Sequence, residues 1–282
     1  MHPALKPREL GGEDLVLSHF TLSRHHDLTQ RVDAAAAAGC RGIGMYIGDF
    51  QRLEAEGRVA ELDRLLDDRG LCLAEIDVWR GWGRPASAQT AELLDQEVTA
   101  FAMADRFGCR SLHVLGPYFG TFDDGVRAFA ALCDRARGHG LLVSLEFMPS
   151  TNVASAADAL RLVEAADRDN GGLCLDVWHH ERGANDLDLI RALPGERVVD
   201  VQMSDGPRVP VLADYGEDAR RNRVPPGAGE MDLVGFVAAV RSTGASVPWS
   251  LEVCNEASWD TDGLDFAVRS ATGLRQVLEV DA

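Results

Sequence analysis

"HGLLVSLEF", residues 139–147, carries the reading of the fold. Gly140 closes a helical stretch as a C-cap, and an apolar run follows at once. The run is short and continuously apolar, which reads as a strand buried on both faces. It ends near a carboxylate, Glu146. "RGLCLAEID" (69–77) repeats the arrangement about seventy residues earlier. "AGCRGIGMYIG" (38–48) and "FGCRSLHVLG" (107–116) echo one another at a similar interval, the length of two strand–helix units.

Working outward in both directions, the same alternation fills the chain. Strands are expected at Leu15–Phe20, Gly42–Ile47, Cys72–Asp77, Ser111–Leu115, Leu142–Phe147, Leu173–Val177, Val198–Met203 and Trp249–Val253. Helices are expected after each, over 28–38, 51–69, 88–107, 122–138, 154–167, 186–192, 231–243 and 262–279. Eight such units make an α/β protein whose parallel strands close into a (β/α)8 barrel with outer helices, a single domain over 1–282. Residues 204–230 form the longest irregular stretch, a candidate lid or binding loop after strand seven.

Of the 282 residues, 45 are acidic and 28 basic, a net charge of -17. That balance argues against a nucleic-acid partner, which needs a basic face. No run of about 18 apolar residues predicts a membrane span. The opening "MHPALKPREL" has no apolar segment of the secretory kind, so a cytoplasmic address is expected. Six cysteines, none in a C-x-x-C pair, read as reduced core thiols.

The ends of strands five to eight carry the chemistry. "LLVSLEF" ends near Glu146, "LCLDV" near Asp176, "VVDVQMSD" carries Gln202 and "WSLEVC" carries Glu252. A strand-end carboxylate taken alone is most often a turn former or a helix cap. Four oxygen-bearing side chains at equivalent ends of four successive strands are different. Buried together without compensation they are very costly, and a divalent cation offsets the repulsion. Asp176 is therefore read as a ligand rather than a cap.

With "SLEFMP", "CLDVWHH", "VQMSD", "PPGAGEMD" and "SLEVCNE" in hand, the chain resembles the sugar phosphate isomerase/epimerase superfamily, the xylose isomerase-like barrels, along essentially its whole length. The resemblance implies a TIM barrel and a metal set of Glu146, Asp176, Gln202 and Glu252. It implies that His179, in a D-x-x-H pattern, touches substrate, and that Arg208, six residues after Gln202, does the same. The family's Pro-Gly-x-Gly-Glu loop maps to Pro226, Gly227, Gly229 and Glu230. Gln202 stands where the family commonly has His, and Met45 where relatives often carry Glu. An all-oxygen ligand set favours Mn²⁺ or Mg²⁺ over Zn²⁺. Gln in that place resembles dehydratases of the superfamily, including ones acting on 3-dehydroshikimate.

Further candidates are His113 inside strand four, and Trp79 and Trp82 after strand three, as substrate-pocket residues. His19 near the end of strand one is another, while His180, Glu75 and Glu256 read as supporting or surface groups. The expected activity is that of a divalent metal-dependent isomerase or epimerase of a sugar or keto-polyol. Glu146 and Glu252 would serve as ligands and as bases on opposite substrate faces, through an enediolate. The alternative is a dehydratase of the 3-dehydroshikimate or inosose type. The expected partner is a small polyhydroxy carbonyl compound, in a possible homo-oligomer. An abasic-site nuclease is disfavoured by the His-poor strand ends and acidic charge, and a non-catalytic module by the intact carboxylates.

Overall fold

The computed structural model describes residues 6–22 and 25–280. Its strands are β1 (Leu15–Leu17), β2 (Gly42–Tyr46), β3 (Cys72–Trp79), β4 (Ser111–Leu115), β5 (Leu142–Glu146), β6 (Gly171–Asp176), β7 (Val198–Met203) and β8 (Trp249–Leu251). Each pairs in parallel with the next, and β8 returns to β1, closing the barrel. Continuous apolar runs form these strands because both faces are covered, the outer one by helices.

The helices are α1 (Leu28–Ala37), α2 (Ile47–Ala55), α3 (Val59–Arg69), α4 (Ala91–Phe107), α5 (Phe122–Arg137) and α6 (Ala156–Ala166). They continue with α7 (Val177–Arg182), α8 (Leu187–Arg191), α9 (Tyr215–Arg221), α10 (Leu233–Ser242) and α11 (Gly263–Val280). Their starts are written in the sequence. Asp27 caps α1 in a box with Gln30, and Thr121 caps α5 in a box with Asp124. α5 buries Phe129 and Leu132 completely against the barrel, each contributing about 1.5–3 kcal/mol of apolar burial.

Three expectations need correction. The helix expected over 51–69 is two, α2 and α3, because Gly57 takes φ +67° and Cβ-free backbone turns the chain there. Val177, expected in a strand, is the first residue of α7, and Ile47 is likewise the first of α2. The loop over 204–230 is not wholly irregular, since it contains α9. The remaining strand ends lie within three residues of their expected places. All six cysteines are free thiols. No described helix is long and apolar enough to cross a membrane.

The lumen of the barrel is polar. Side chains two apart on a strand share a face. Ser144 and Glu146 on β5, Cys174 and Asp176 on β6, and Asp200 and Gln202 on β7 form such pairs, as do Ser250 on β8 and Glu252 just past it. Ser250 Oγ donates to Glu75 Oε2 of β3 at 2.8 Å, and Arg110 Nη1 reaches Asp200 Oδ1 at 2.7 Å. Such bonds join strands that are not neighbours, so they cross the interior. The barrel therefore holds two polar tiers, one at its C-terminal mouth and one beneath.

Candidate active site

Glu146, Asp176 and Glu252 meet at the mouth because each ends, or directly follows, its strand. All three are at least nine-tenths buried, as is Gln202. Asp176 uses its two oxygens for different tasks. Oδ1 accepts the Trp178 N–H at 2.7 Å and caps α7, while Oδ2 faces the site. The reading of Asp176 as a ligand rather than a cap is thus corrected: it is a cap with one oxygen still available.

That cap starts the helix that places His179. Three residues on from Asp176, its ring lies over the same face. His179 Nε2 is 2.9 Å from Glu146 Oε1 and 3.5 Å from Asp176 Oδ2. His179 Nδ1 is hydrogen-bonded to the Tyr215 hydroxyl of α9. Burial pushes the Tyr215 phenol well above its usual range, so it remains a neutral hydroxyl.

The fourth side of the site is Arg223, which follows α9. Its Nη1 is 2.8 Å from Asp176 Oδ2 and 3.1 Å from Glu252 Oε2. Its Nε donates to Ala219 O at 2.9 Å, and its guanidinium lies over the Trp178 ring at 5.5 Å. Glu252 Oε1 accepts from Gln202 Nε2 at 3.2 Å and from Ser18 Oγ at 3.5 Å. Gln202 Oε1 is buried with no partner.

Electrostatics follow from this crowding. Burial, with Glu146 and Asp176 adding to it, raises the Glu252 carboxyl well above the usual range against the pull of Arg223. Burial acts the same way on Asp176, but Arg223 and His179 outweigh it and hold that carboxyl low.

A divalent cation fits this chemistry. Ligating atoms of Glu146, Asp176 and His179 lie within 4.8 Å of one another, all in buried residues. The orphaned Gln202 Oε1 is a buried acceptor that a cation would satisfy.

Other expected residues lie elsewhere. Arg208 is exposed, its N–H donates to Glu230 Oε2 at 2.8 Å, and its charge acts on Glu181. Trp79 is buried and donates its indole N–H to Leu93 O at 2.9 Å; Trp82 donates to Leu115 O at 2.6 Å. Both are committed to packing. His113 sits in the lower tier, 2.9 Å from Asp77 Oδ1 through Nδ1 and 2.9 Å from Asp200 Oδ2 through Nε2. Both ring nitrogens are thus occupied, which removes it from the substrate pocket. His19 stands 3.4 Å from Asp49, in a short turn after β1. His180 packs on Phe236, Met45 is in the core, and exposed Glu256 pairs with Arg221.

The Pro-Gly-x-Gly-Glu loop acts through Asp205. Its Oδ2 accepts the Gly227 and Gly229 N–H groups at 3.0 and 2.9 Å, and its Oδ1 accepts the Met231 N–H at 3.1 Å. A Cβ at Gly229 would lie 2.4 Å from Asp205 Oδ1, so only glycine fits there. This clamp, with Asn255 Nδ2 donating to Arg223 O at 2.6 Å, fixes the segment that delivers Arg223. Arg223 and Tyr215 are the site residues that sequence reasoning missed.

Comparison with known proteins accords with this arrangement. The model of the family described as xylose isomerase-like TIM barrel matches residues 32–276. The chain is 31% identical over 273 residues to a 3-dehydroshikimate dehydratase of Pseudomonas aeruginosa, covering 93% of this chain and 41% of that protein. It is 28% identical over 274 residues to the 3-dehydroshikimate dehydratase of Pseudomonas putida, with the same coverage of 93% and 41%. The chain thus spans less than half the length of these curated relatives. A crystal structure of the IOLI protein with a bound zinc atom superposes with a TM-score of 0.85 at 17% identity, over 95% of this chain and 99% of that one. A closed parallel barrel, a buried carboxylate cluster at its mouth and a family match across most of its length lead to one assignment: the chain belongs to the xylose isomerase-like TIM barrel family.

Proposed function

We propose that this chain is a divalent metal-dependent dehydratase acting on a cyclic keto-polyol acid of the 3-dehydroshikimate class. One observation carries the reading: the buried oxygens of Glu146, Asp176, Gln202 and Glu252, with His179 beside Glu146 and the Arg223 guanidinium against Asp176 and Glu252. The oxygens suit a hard cation such as Mn²⁺ or Mg²⁺. The acid class of the substrate comes from the names of the two Pseudomonas relatives, since Arg223 is already engaged by Asp176 and Glu252. The names of the two Pseudomonas relatives favour dehydration over the isomerase or epimerase first expected.

Glu146, Asp176, Gln202 and Glu252 would hold the ion, which when bound supplies a Lewis acid beside the substrate carbonyl. The protein's own groups handle the proton. In the tautomer that donates Nδ1–H to the Tyr215 oxygen, and with Glu146 and Asp176 engaged by the ion, His179 would carry a free lone pair on Nε2. Nε2 takes the proton from the carbon next to the carbonyl. The imidazolium so formed lies 2.9 Å from Glu146 and 3.5 Å from Asp176, which stabilise it. It then protonates the β-hydroxyl as that group departs, so one water leaves and the enzyme regains its starting state. His179 replaces the two-glutamate scheme here because Glu146 and Glu252 are assigned to the ion, which leaves the imidazole beside Glu146 and Asp176 to move the proton.

The test is direct. Chelator-treated protein is given 3-dehydroshikimate with and without Mn²⁺, and ultraviolet absorbance follows formation of aromatic 3,4-dihydroxybenzoate. The expected result is metal-dependent product. Turnover that survives metal removal, or solvent deuterium returned to an isomer of the substrate in place of product, would overturn the proposal.

A further inference from the structure

The mouth carries more negative charge than one divalent ion offsets. Glu146, Asp176 and Glu252 bring three carboxyl groups together, and with all three ionised around an ion of charge two, one negative charge is left over. Arg223 supplies the missing charge, and its guanidinium does not deprotonate in proteins. It is also held independently of the carboxylates, by Ala219 O at Nε, by the Trp178 ring and by the backbone bonds to Asn255 and Cys254. Its Nη1 rests on Asp176 Oδ2, the oxygen left over from capping α7, and on Glu252 Oε2.

We propose that Arg223 is a built-in second cation of the metal centre. It shares Asp176 and Glu252 with the ion, holds the carboxylates together before the ion arrives, and weakens the ion's binding by occupying its ligands and repelling it. This rests on the divalent-metal reading above. Two opposing consequences follow from one side chain. Removing the charge strands buried carboxylates, so the metal-free protein loses stability. The same removal frees ligand oxygens and lifts cation–cation repulsion, so the ion binds more tightly.

Calorimetric titration of the chelator-treated 282-residue chain with Mn²⁺, together with thermal unfolding with and without Mn²⁺, tests this. For Arg223→Gln the metal-free Tm falls while the Mn²⁺ Kd drops by about tenfold or more, near 1.4 kcal/mol. The Tm gain on adding Mn²⁺ then exceeds that of the wild type. Arg223→Lys keeps the charge, and its Kd stays within about threefold of wild type, a difference below 1 kcal/mol. Weaker or unchanged Mn²⁺ binding by Arg223→Gln overturns the inference. If that variant does not fold without metal, a tenfold shift for Arg223→Lys in either direction overturns it. A wild-type chain that binds no Mn²⁺ sinks the metal reading itself, an outcome distinct from both.

Discussion

His113→Ala is the sharpest test of the lower tier. His113 holds Asp77 through one nitrogen and Asp200 through the other, each at 2.9 Å, and all three residues are at most 1% exposed. Burial alone would lower the His113 pKa, but Asp200 and Asp77 raise it well above its ordinary value, so the imidazolium is the resident form. Alanine removes that charge and strands Asp77, whose other oxygen already lacks a partner. Asp200 keeps Arg110 at 2.7 Å, so one carboxylate rather than two is fully exposed to the penalty. Breaking a buried pair costs about 3–5 kcal/mol, which for a chain of this size lowers Tm by roughly 6–20 °C. Circular dichroism during heating reads the shift. Adding Asp77→Asn removes the stranded charge and recovers part of the loss. A His113→Ala protein melting within about 3 °C of wild type would refute the pairing argument. A raised KM with unchanged Tm would instead return His113 to the substrate pocket.

Four further outcomes are expected. Burial raises the Glu75 carboxyl from 4.5 to about 8, so its stabilising contribution is complete below 4.5 and is lost as pH rises through 8. Glu75→Gln, neutral throughout, flattens the fall of Tm across that window, and an unchanged pH profile would count against the assignment. Tyr215→Phe removes the partner of His179 Nδ1 and lowers kcat by about 10–100-fold with little change in KM, whereas a pure KM effect would exclude a positioning role. Gln202→His replaces an oxygen ligand with nitrogen and raises the Zn²⁺ to Mn²⁺ affinity ratio by about tenfold or more in competition titrations, while an unchanged ratio removes Gln202 from the ligand set. Glu252→Gln abolishes measurable turnover while circular dichroism remains native; retained activity would remove Glu252 from the site.

Sequence order revealed the strands because a parallel strand covered on both faces is an unbroken apolar run. Against such runs Glu146, Asp176, Gln202 and Glu252 stand out, and the fold does bring them together. Arg223 was hidden because nothing local separates it from Arg220 and Arg221, which lie in the same "ARRNR" stretch. Its burial comes from distant partners, the Asp205 clamp and Asn255, and the one local signal is its fixed place three residues before Pro226-Gly227. Tyr215 escaped for a related reason. α9 has seven residues, too few for helical periodicity to declare itself. Arg208 misled because counting along a loop says nothing about direction. Its carbonyl is held by Arg182 Nη1 at 3.2 Å, and its side chain remains in solvent.

Among the described residues, two clusters have the composition of a metal site, Glu75–His113–Asp200 below and Glu146–Asp176–His179 at the mouth. Charge and geometry separate them. Below, His113 gives each ring nitrogen to a carboxylate and Arg110 gives its Nη1 to Asp200, so two cations face Glu75, Asp77 and Asp200. The remaining charge disappears if Glu75 keeps a proton, as its raised pKa of about 8 implies at neutral pH. That tier is neutral by itself. At the mouth, Arg223 pairs with Asp176 and Glu252 while Glu146 has only the His179 ring against it, an oxygen on Gln202 has no partner, and Asp176 has spent one oxygen on α7. The deficit at the mouth is the one that the divalent ion of the proposed function would repair. The barrel thus concentrates its unmet demand for positive charge at its C-terminal mouth, over a floor that competes for none of it.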